Sequence, residues 1–290
     1  MIKRMFAMFF VVTISCLSAS GTTLSIYQIQ YTTNPDGTSD WDTQRVNCTG
    51  GIVIHKWGGS RQRVILYDPN NPDGWGGILV KGDINTTPFD DVNLGDWVSL
   101  DSVTVYDWTN KSRGNTILYL DGTSTVNVLS TGNPLPDPLV VDVNDVAVVY
   151  DPVFETCYVT DHRAEKYESM YIQVRNVTVG DVNVGKDLDN YSLNMSLDPN
   201  IYCWASDYMN KDKPGSLDHL PIIQSGQHFC SVSGIFEQYS NVDFGWDYYQ
   251  ILTTKEDDLL IEQPGDLDED CDVDFEDLAI LSRYWLVGTK

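Results

Sequence analysis

The sequence predicts a mainly β protein in which two five-stranded β-barrels follow each other, with a short acidic loop and a helix at the C-terminus. Short β-rich runs separated by Gly- and Pro-rich turns predict the strands, and a proline-rich stretch divides them into two sets of five. The chain has 290 residues, of which 42% are apolar, so it is long enough for two cores and too rich in core formers to be disordered. One large sandwich is the alternative arrangement.

The first barrel is predicted over residues 24–132. Its run 96–106 alternates apolar and polar residues, which is typical of a half-buried strand. No helical periodicity interrupts residues 44–129, so every apolar run in this segment is interpreted as a strand. The five predicted strands are 46–54, 63–67, 77–80, 96–106 and 116–120.

A second set of strands follows a predicted linker, residues 133–145, which opens with the proline-rich stretch 133–138. The second barrel is predicted over 146–262. Its five strands are 170–179, 191–197, 201–204, 227–236 and 248–252.

Several strand and turn motifs carry a family resemblance. Leu66-Tyr67-Asp68-Pro69 and Gly95-Asp96-Trp97-Val98 in the first set, and residues 165–172 in the second, resemble the OB-fold domains of secreted bacterial nucleases and related exported proteins. The resemblance covers roughly residues 24–262 and implies OB-like barrels. In that family such domains accompany a catalytic nuclease domain, and no such domain is recognisable in this sequence.

Residues 1–20 are predicted to be a secretory signal peptide. Lys3 and Arg4 precede the apolar run 5–17, and the small residues 18–20 suit a cleavage site. The protein is therefore expected to be exported, either secreted or held at the cell surface. An uncleaved anchor is the alternative, and no later run is apolar enough over the roughly 20 residues that a membrane span needs.

The net charge of -24 argues against nucleic acid or anionic lipid as a partner, because either would be repelled by the protein's own field. The charge is uneven, since eight of the 42 acidic residues lie in 263–290. Five cysteines follow the predicted signal. Export permits disulfides, and one pair is expected among Cys157, Cys203 and Cys230, with the full connectivity left open.

No catalytic residue can be assigned from the sequence. The four histidines are scattered, and no metalloprotease, serine-hydrolase or phosphate-loop motif is present. The segment 161–165 could support proton transfer, although a solvated turn has the same composition. Between the first two strands, a basic loop offers Trp57 to stack on a base or sugar, with Arg61 and Arg63 to hold anionic or hydroxyl groups. The alternative is a hairpin tip whose cations offset nearby acids.

The acidic C-terminal segment has the spacing of a calcium-binding loop. When Asp266 is counted as position 1, oxygen ligands fall at positions 1, 3, 5, 7, 9 and 12, a spacing that suits a hard cation. Val273 at position 8 is expected to tuck into a core, and the following apolar residues lie on one side of a helix. The alternative is an acidic disordered tail. The predicted ligands are Asp266, Asp268, Asp270, Asp272, Asp274 and Asp277.

This segment, 263–288, resembles a single dockerin repeat. The resemblance implies calcium as the cofactor and a partner-binding helix that displays Leu281, Arg283, Tyr284 and Trp285. Two features depart from the family: Cys271 stands at position 6, where glycine is usual, and dockerins carry two repeats whereas this chain has one.

The function expected from the sequence is that of a secreted, non-catalytic binding or scaffold protein. Its calcium-loaded tail would tether it to a surface or to a polysaccharide-degrading assembly. The expected partners are a cohesin-like or cell-surface protein and a glycan. The alternative is a secreted hydrolase of polysaccharide or nucleic acid that carries the same tail.

Overall fold

The fold is described from a computed structural model. The described residues are 21–57, 61–107, 115–151, 153–159, 162–184, 190–206, 223–241, 243, 245–261, 265–268, 271 and 273–287. The predicted signal peptide lies outside them. Within the described residues, no helix combines the length and the apolar character needed to cross a membrane.

The first barrel closes on itself through five strands. β2 pairs with β3, β3 with β4, β4 with β6, β6 with β5, and β5 again with β2, so the ring has no free edge. β4 and β6 run parallel, and the other pairs in the ring are antiparallel. The strands of this half are β1 (Thr23–Leu24), β2 (Arg45–Trp57), β3 (Arg63–Tyr67), β4 (Gly77–Lys81), β5 (Trp97–Asp107), β6 (Thr116–Tyr119) and β7 (Thr125–Ser130).

β2 is long enough to pair with both β3 and β5 because it bends at Gly50. This residue has φ +77° and lies where the β2–β5 register shifts. A Cβ atom at Gly50 would stand 1.5 Å from the carbonyl oxygen of Val98, so no other residue fits without moving the backbone.

A short helix that the sequence analysis did not predict closes one side of this barrel. α1 (Ile26–Gln30) begins at Ser25, whose hydroxyl accepts from the Gln28 backbone N–H while the Gln28 side chain accepts from the Ser25 N–H. Ile26 and Ile29 are fully buried in the barrel core.

The second barrel repeats the same plan. β11, β12, β13, β15 and β14 pair in that order, and β14 pairs again with β11 to close the ring. As in the first ring, the third and fifth strands along the chain, β13 and β15, run parallel. The strands of this half are β8 (Leu139–Val140), β9 (Val148–Asp151), β10 (Thr156–Val159), β11 (Tyr171–Val184), β12 (Asn190–Met195), β13 (Tyr202–Ser206), β14 (His228–Asn241), β15 (Trp246–Leu252) and β16 (Leu259–Ile261).

The prediction of a mainly β fold with two tandem five-stranded barrels is therefore confirmed. The predicted linker contributes to the second barrel, because Leu139–Val140 pairs with β11 and Val141, Val143 and Val146 are buried in that barrel's core. The last element is helix α2 (Phe275–Val287).

The two barrels pack against each other through the outer face of the first. Alternate residues of β3, β4 and β6 point away from the first core, and their apolar side chains meet β14 and β15 of the second barrel. We call this apolar surface the seam. Its buried residues are Trp57, Ile65, Leu79, Ile117, Ile235 and Leu252.

Candidate metal centre

Three carboxylates converge in the loop between β16 and α2. One oxygen each from Asp266, Asp268 and Asp277 lies within 4.8 Å of the other two. Like charges this close repel one another, so a cation among them would lower the energy of the loop. The spacing at positions 1, 3 and 12 has thus brought the first, second and last predicted ligands together.

Asp266 is the most informative member of this group. It is only 4% exposed, and its Oδ2 accepts a hydrogen bond of 2.9 Å from the backbone N–H of Cys271. Its Oδ1 is buried and has no hydrogen-bond partner among the residues that the structure describes. An unsatisfied buried carboxylate oxygen is costly, and a bound hard cation would satisfy it. The donor set, made of carboxylate oxygens, fits calcium.

Asp277 is held in its ionised form by the backbone around it. Its Oδ2 accepts from the Asp274 N–H at 2.7 Å, and its Oδ1 accepts from the N–H groups of Leu267 and Asp268. These donors, the Asp274 N–H first among them, hold the pKa of the Asp277 carboxyl below its ordinary value. A ligand already ionised at neutral pH need not lose a proton before it binds a cation.

Asp274, one of the predicted ligands, also makes contacts at the start of the helix that follows the loop. Its Oδ1 accepts from the Glu276 N–H at 2.7 Å, and its carbonyl oxygen accepts from Leu278 N–H, so it caps the start of α2. Asp270 and Asp272 lie outside the described residues. The full set of six ligands therefore stays a prediction.

The loop is covalently attached to the second barrel. Cys271, at loop position 6, has φ +75° and forms a disulfide with Cys230 of β14. The expectation of a pair among Cys157, Cys203 and Cys230 is therefore wrong. Cys157 and Cys203 are buried free thiols whose pKa values are raised by burial, and Cys230 bonds outside that trio.

The tail helix presents most of its surface to solvent. Tyr284 and Trp285 are 75% and 72% exposed, and Leu281 and Arg283 are also exposed. The expectation that Val273 tucks into a core is wrong, because its side chain is half exposed. The predicted partner-binding residues are accessible, and their role stays a prediction.

The predicted ligand residues of the first barrel lie at one end of the seam. Trp57 is 6% exposed and packs in the seam, with the Arg63 guanidinium carbon 5.6 Å from the centre of its ring. The corresponding distance from Arg61 to the Tyr119 ring is 5.8 Å. Trp57 thus stacks on protein in this arrangement, and a role in ligand binding stays a prediction.

Lys81 is a member of this cationic group that the sequence analysis missed. It pairs with Arg63 across β3 and β4 and is 3% exposed. Burial, then repulsion from Arg63 and Arg61, lowers its pKa to about 7. The sequence could have indicated this position. Successive side chains of β4 point to opposite faces, so Lys81 lies on the same outer face as Leu79.

Asp161 lies outside the described residues, but Glu165 from the segment 161–165 forms a buried carboxyl cluster between the barrels with Asp107 and Glu168. Tyr249 donates a hydrogen bond of 2.8 Å to Glu165 Oε2, and His162 Nδ1 lies 3.3 Å from the same hydroxyl. Burial raises the pKa of Glu165 to about 8, and that of Asp107 to about 6. Burial and the neighbouring Glu165 raise the pKa of Glu168 well above its ordinary value.

No protein-family model and no curated protein matches the chain. Two of the solved structures to which the chain is similar are OB-fold proteins. A Replication Protein A heterotrimer bound to single-stranded DNA is 9% identical, with 92% of this chain and 72% of that chain covered and a TM-score of 0.25. Fission yeast Pot1 with single-stranded DNA is 12% identical, with 84% and 89% covered and a TM-score of 0.30.

These neighbours correct one prediction. Both are described with single-stranded DNA, which runs against the prediction that nucleic acid is an unlikely partner, and the net charge is withdrawn as a ground for that prediction. The physical reason is that net charge describes the whole surface, whereas binding depends on the field at the contact. A chain with a net charge of -24 still gathers Arg61, Arg63 and Lys81 in one place.

Proposed function

We propose that this protein is an exported, non-catalytic binding or scaffold protein whose C-terminal loop binds one calcium ion. The observation that carries the proposal is the buried Oδ1 of Asp266, which lies among the converging carboxylates and has no hydrogen-bond partner in the described part of the chain. Calcium would neutralise the repulsion within the loop and fix the start of α2 relative to it. The exposed residues of α2 would then be displayed in a defined orientation.

Two closed barrels supply the binding or scaffold part of the proposal. A hydrolase is not proposed, because the buried carboxyl cluster offers no access to a polymer: Glu165 and Glu168 are 3% and 1% exposed. A catalytic carboxyl pair has to flank a bond of the substrate, which requires an open cleft.

Binding of a single-stranded oligonucleotide by the full chain is a direct test of the barrels, with Arg61→Gln as the matched variant.

Calcium titration of the full chain tests the metal site. Isothermal calorimetry should show one calcium ion per chain, and Asp266→Asn should weaken the affinity by about tenfold or more, because the buried oxygen loses its charge. Asp257→Asn is the matched control, since it removes one exposed acid just outside the loop. Equal affinities of the two variants, or the absence of binding by the wild type, would contradict the proposal.

A further inference from the structure

The disulfide occupies a position that is central to the cation site. Cys271 is the loop residue with left-handed backbone geometry, φ +75°, where a turn of this kind usually takes glycine. Its backbone N–H donates to Asp266 Oδ2 at 2.9 Å. The residue that the disulfide fixes is thus the one that orients the Asp266 carboxylate.

The other end of the disulfide is part of a rigid strand. Cys230 is 2% exposed in β14, at the point where the pairing of β14 with β16 shifts between Phe229 and Ser231. β14 also pairs with β11 and β15 and so belongs to the closed ring. The barrel therefore provides a fixed support to which the loop is bonded.

Within the part of the chain that the structure describes, few other contacts join the loop to the barrel. Ile261 is the last described residue before the loop that pairs with β14, and among the described side chains of α2 only Asp277 is buried. Asp277 points into the loop, as its hydrogen bonds show. Within the described residues, the covalent bond to Cys230 is therefore the firmest attachment of the loop to the barrel.

We propose that Cys230 is a positioning residue of the calcium site, and that the Cys230–Cys271 disulfide makes calcium affinity depend on the oxidation state of the chain. The proposal rests on the proposed function of the loop. A dithiol such as dithiothreitol reduces the disulfide to two thiols and is itself oxidised to a cyclic disulfide, so electrons and protons balance. In the reduced chain, Cys271 can leave its left-handed geometry, and Asp266 loses its fixed orientation.

Coupling between calcium binding and formation of the Cys230–Cys271 disulfide must be reciprocal. If oxidation strengthens calcium binding by some factor, calcium makes the disulfide harder to reduce by the same factor. A disulfide that only stabilised the second barrel would not show this linkage. The reciprocal shift therefore separates a positioning role from a purely structural one.

Calorimetry on the full chain tests the inference. Oxidised wild type should bind calcium about tenfold more tightly than the same protein in dithiothreitol. Cys230→Ser should bind as the reduced protein does and should not respond to the dithiol. In a redox titration with dithiothreitol, calcium should shift the wild-type midpoint toward stronger reducing conditions.

The outcomes distinguish this inference from the function on which it rests. Calcium binding by the oxidised wild type that is unchanged by dithiothreitol would overturn the role of the disulfide and leave the calcium site intact. The absence of calcium binding by the oxidised wild type would overturn both. The wild-type comparison needs no variant, so it decides the matter even if Cys230→Ser fails to fold.

Discussion

Between pH 5 and pH 7, the free energy of unfolding of the full chain is expected to fall by about 2 kcal/mol, because the buried Glu165 carboxyl favours its protonated form. Folding raises the pKa of this group from 4.5 to about 8. The folded state therefore binds more protons than the unfolded state in this window. Stability from Glu165 is fully present below pH 4.5 and is lost as the pH rises toward 8.

The groups around Glu165 act in the same direction over this range. Asp107, with a pKa raised to about 6, and Glu168 also favour their protonated forms, and Asp247 adds further negative charge. Lys81 has the opposite effect at higher pH. Because its pKa falls from 10.5 to about 7, the folded state loses that proton first, and stability from Lys81 rises above pH 7. Measurements between pH 5 and pH 7 therefore isolate the carboxyl cluster.

Glu165→Gln should remove the part of this pH dependence that comes from Glu165, about 2 kcal/mol between pH 5 and pH 7, and leave the parts from Glu168 and Asp107. The amide keeps the shape and can still accept the Tyr249 hydrogen bond, but it carries no charge when buried. Denaturant unfolding of the variant at both pH values measures the effect, with Glu256→Gln, an exposed acid, as the control. A slope that is unchanged in Glu165→Gln would show that this carboxyl is not the buried proton acceptor.

Ile235→Asp should destabilise the chain by about 4 kcal/mol or more and uncouple the two barrels. Ile235 is 3% exposed in the seam, where it packs with Leu252 against the outer face of the first barrel. The substitution removes apolar contacts and places a charge in the apolar seam, two residues from Glu237, whose pKa burial raises.

Unfolding followed by two probes measures this uncoupling. In the wild type, the barrels should unfold together, and in Ile235→Asp the transition should split into two. Ile235→Val, which removes one methylene at the same place, should cost only about 1 kcal/mol and keep a single transition. A single, unshifted transition in the aspartate variant would refute the seam as the source of coupling.

The barrel strands could be predicted because turns and β-rich runs mark them locally. Their closure into rings, and the pairing of β10 with β15, depend on contacts that no short segment encodes. The seam could have been predicted from one pattern in the sequence. Residues 64–67 of β3 are apolar at every position, whereas apolar and polar residues alternate along β5. A continuous apolar run indicates a strand buried on both faces, and the second barrel covers the outer one.

In the loop, too, the features set by neighbouring residues could be predicted, whereas those set by residues distant in sequence could not. The spacing of Asp266, Asp268 and Asp277 was enough to predict that they converge, because all three belong to the same short loop. The partner of Cys271 could not be predicted, since Cys230 is far away in sequence. A cysteine at a position that normally requires glycine nevertheless indicated that its side chain forms a bond elsewhere, such as a disulfide.

The bond between Cys230 and Cys271 also closes a covalent ring, with the two cysteines separated by 41 positions of the chain. Most of β14 and all of β15 and β16 lie inside that ring. A protease that cuts one peptide bond there leaves the two fragments joined through sulfur. The helix at the C-terminus therefore stays attached to its barrel after a single cleavage, and it leaves only when the chain is also reduced.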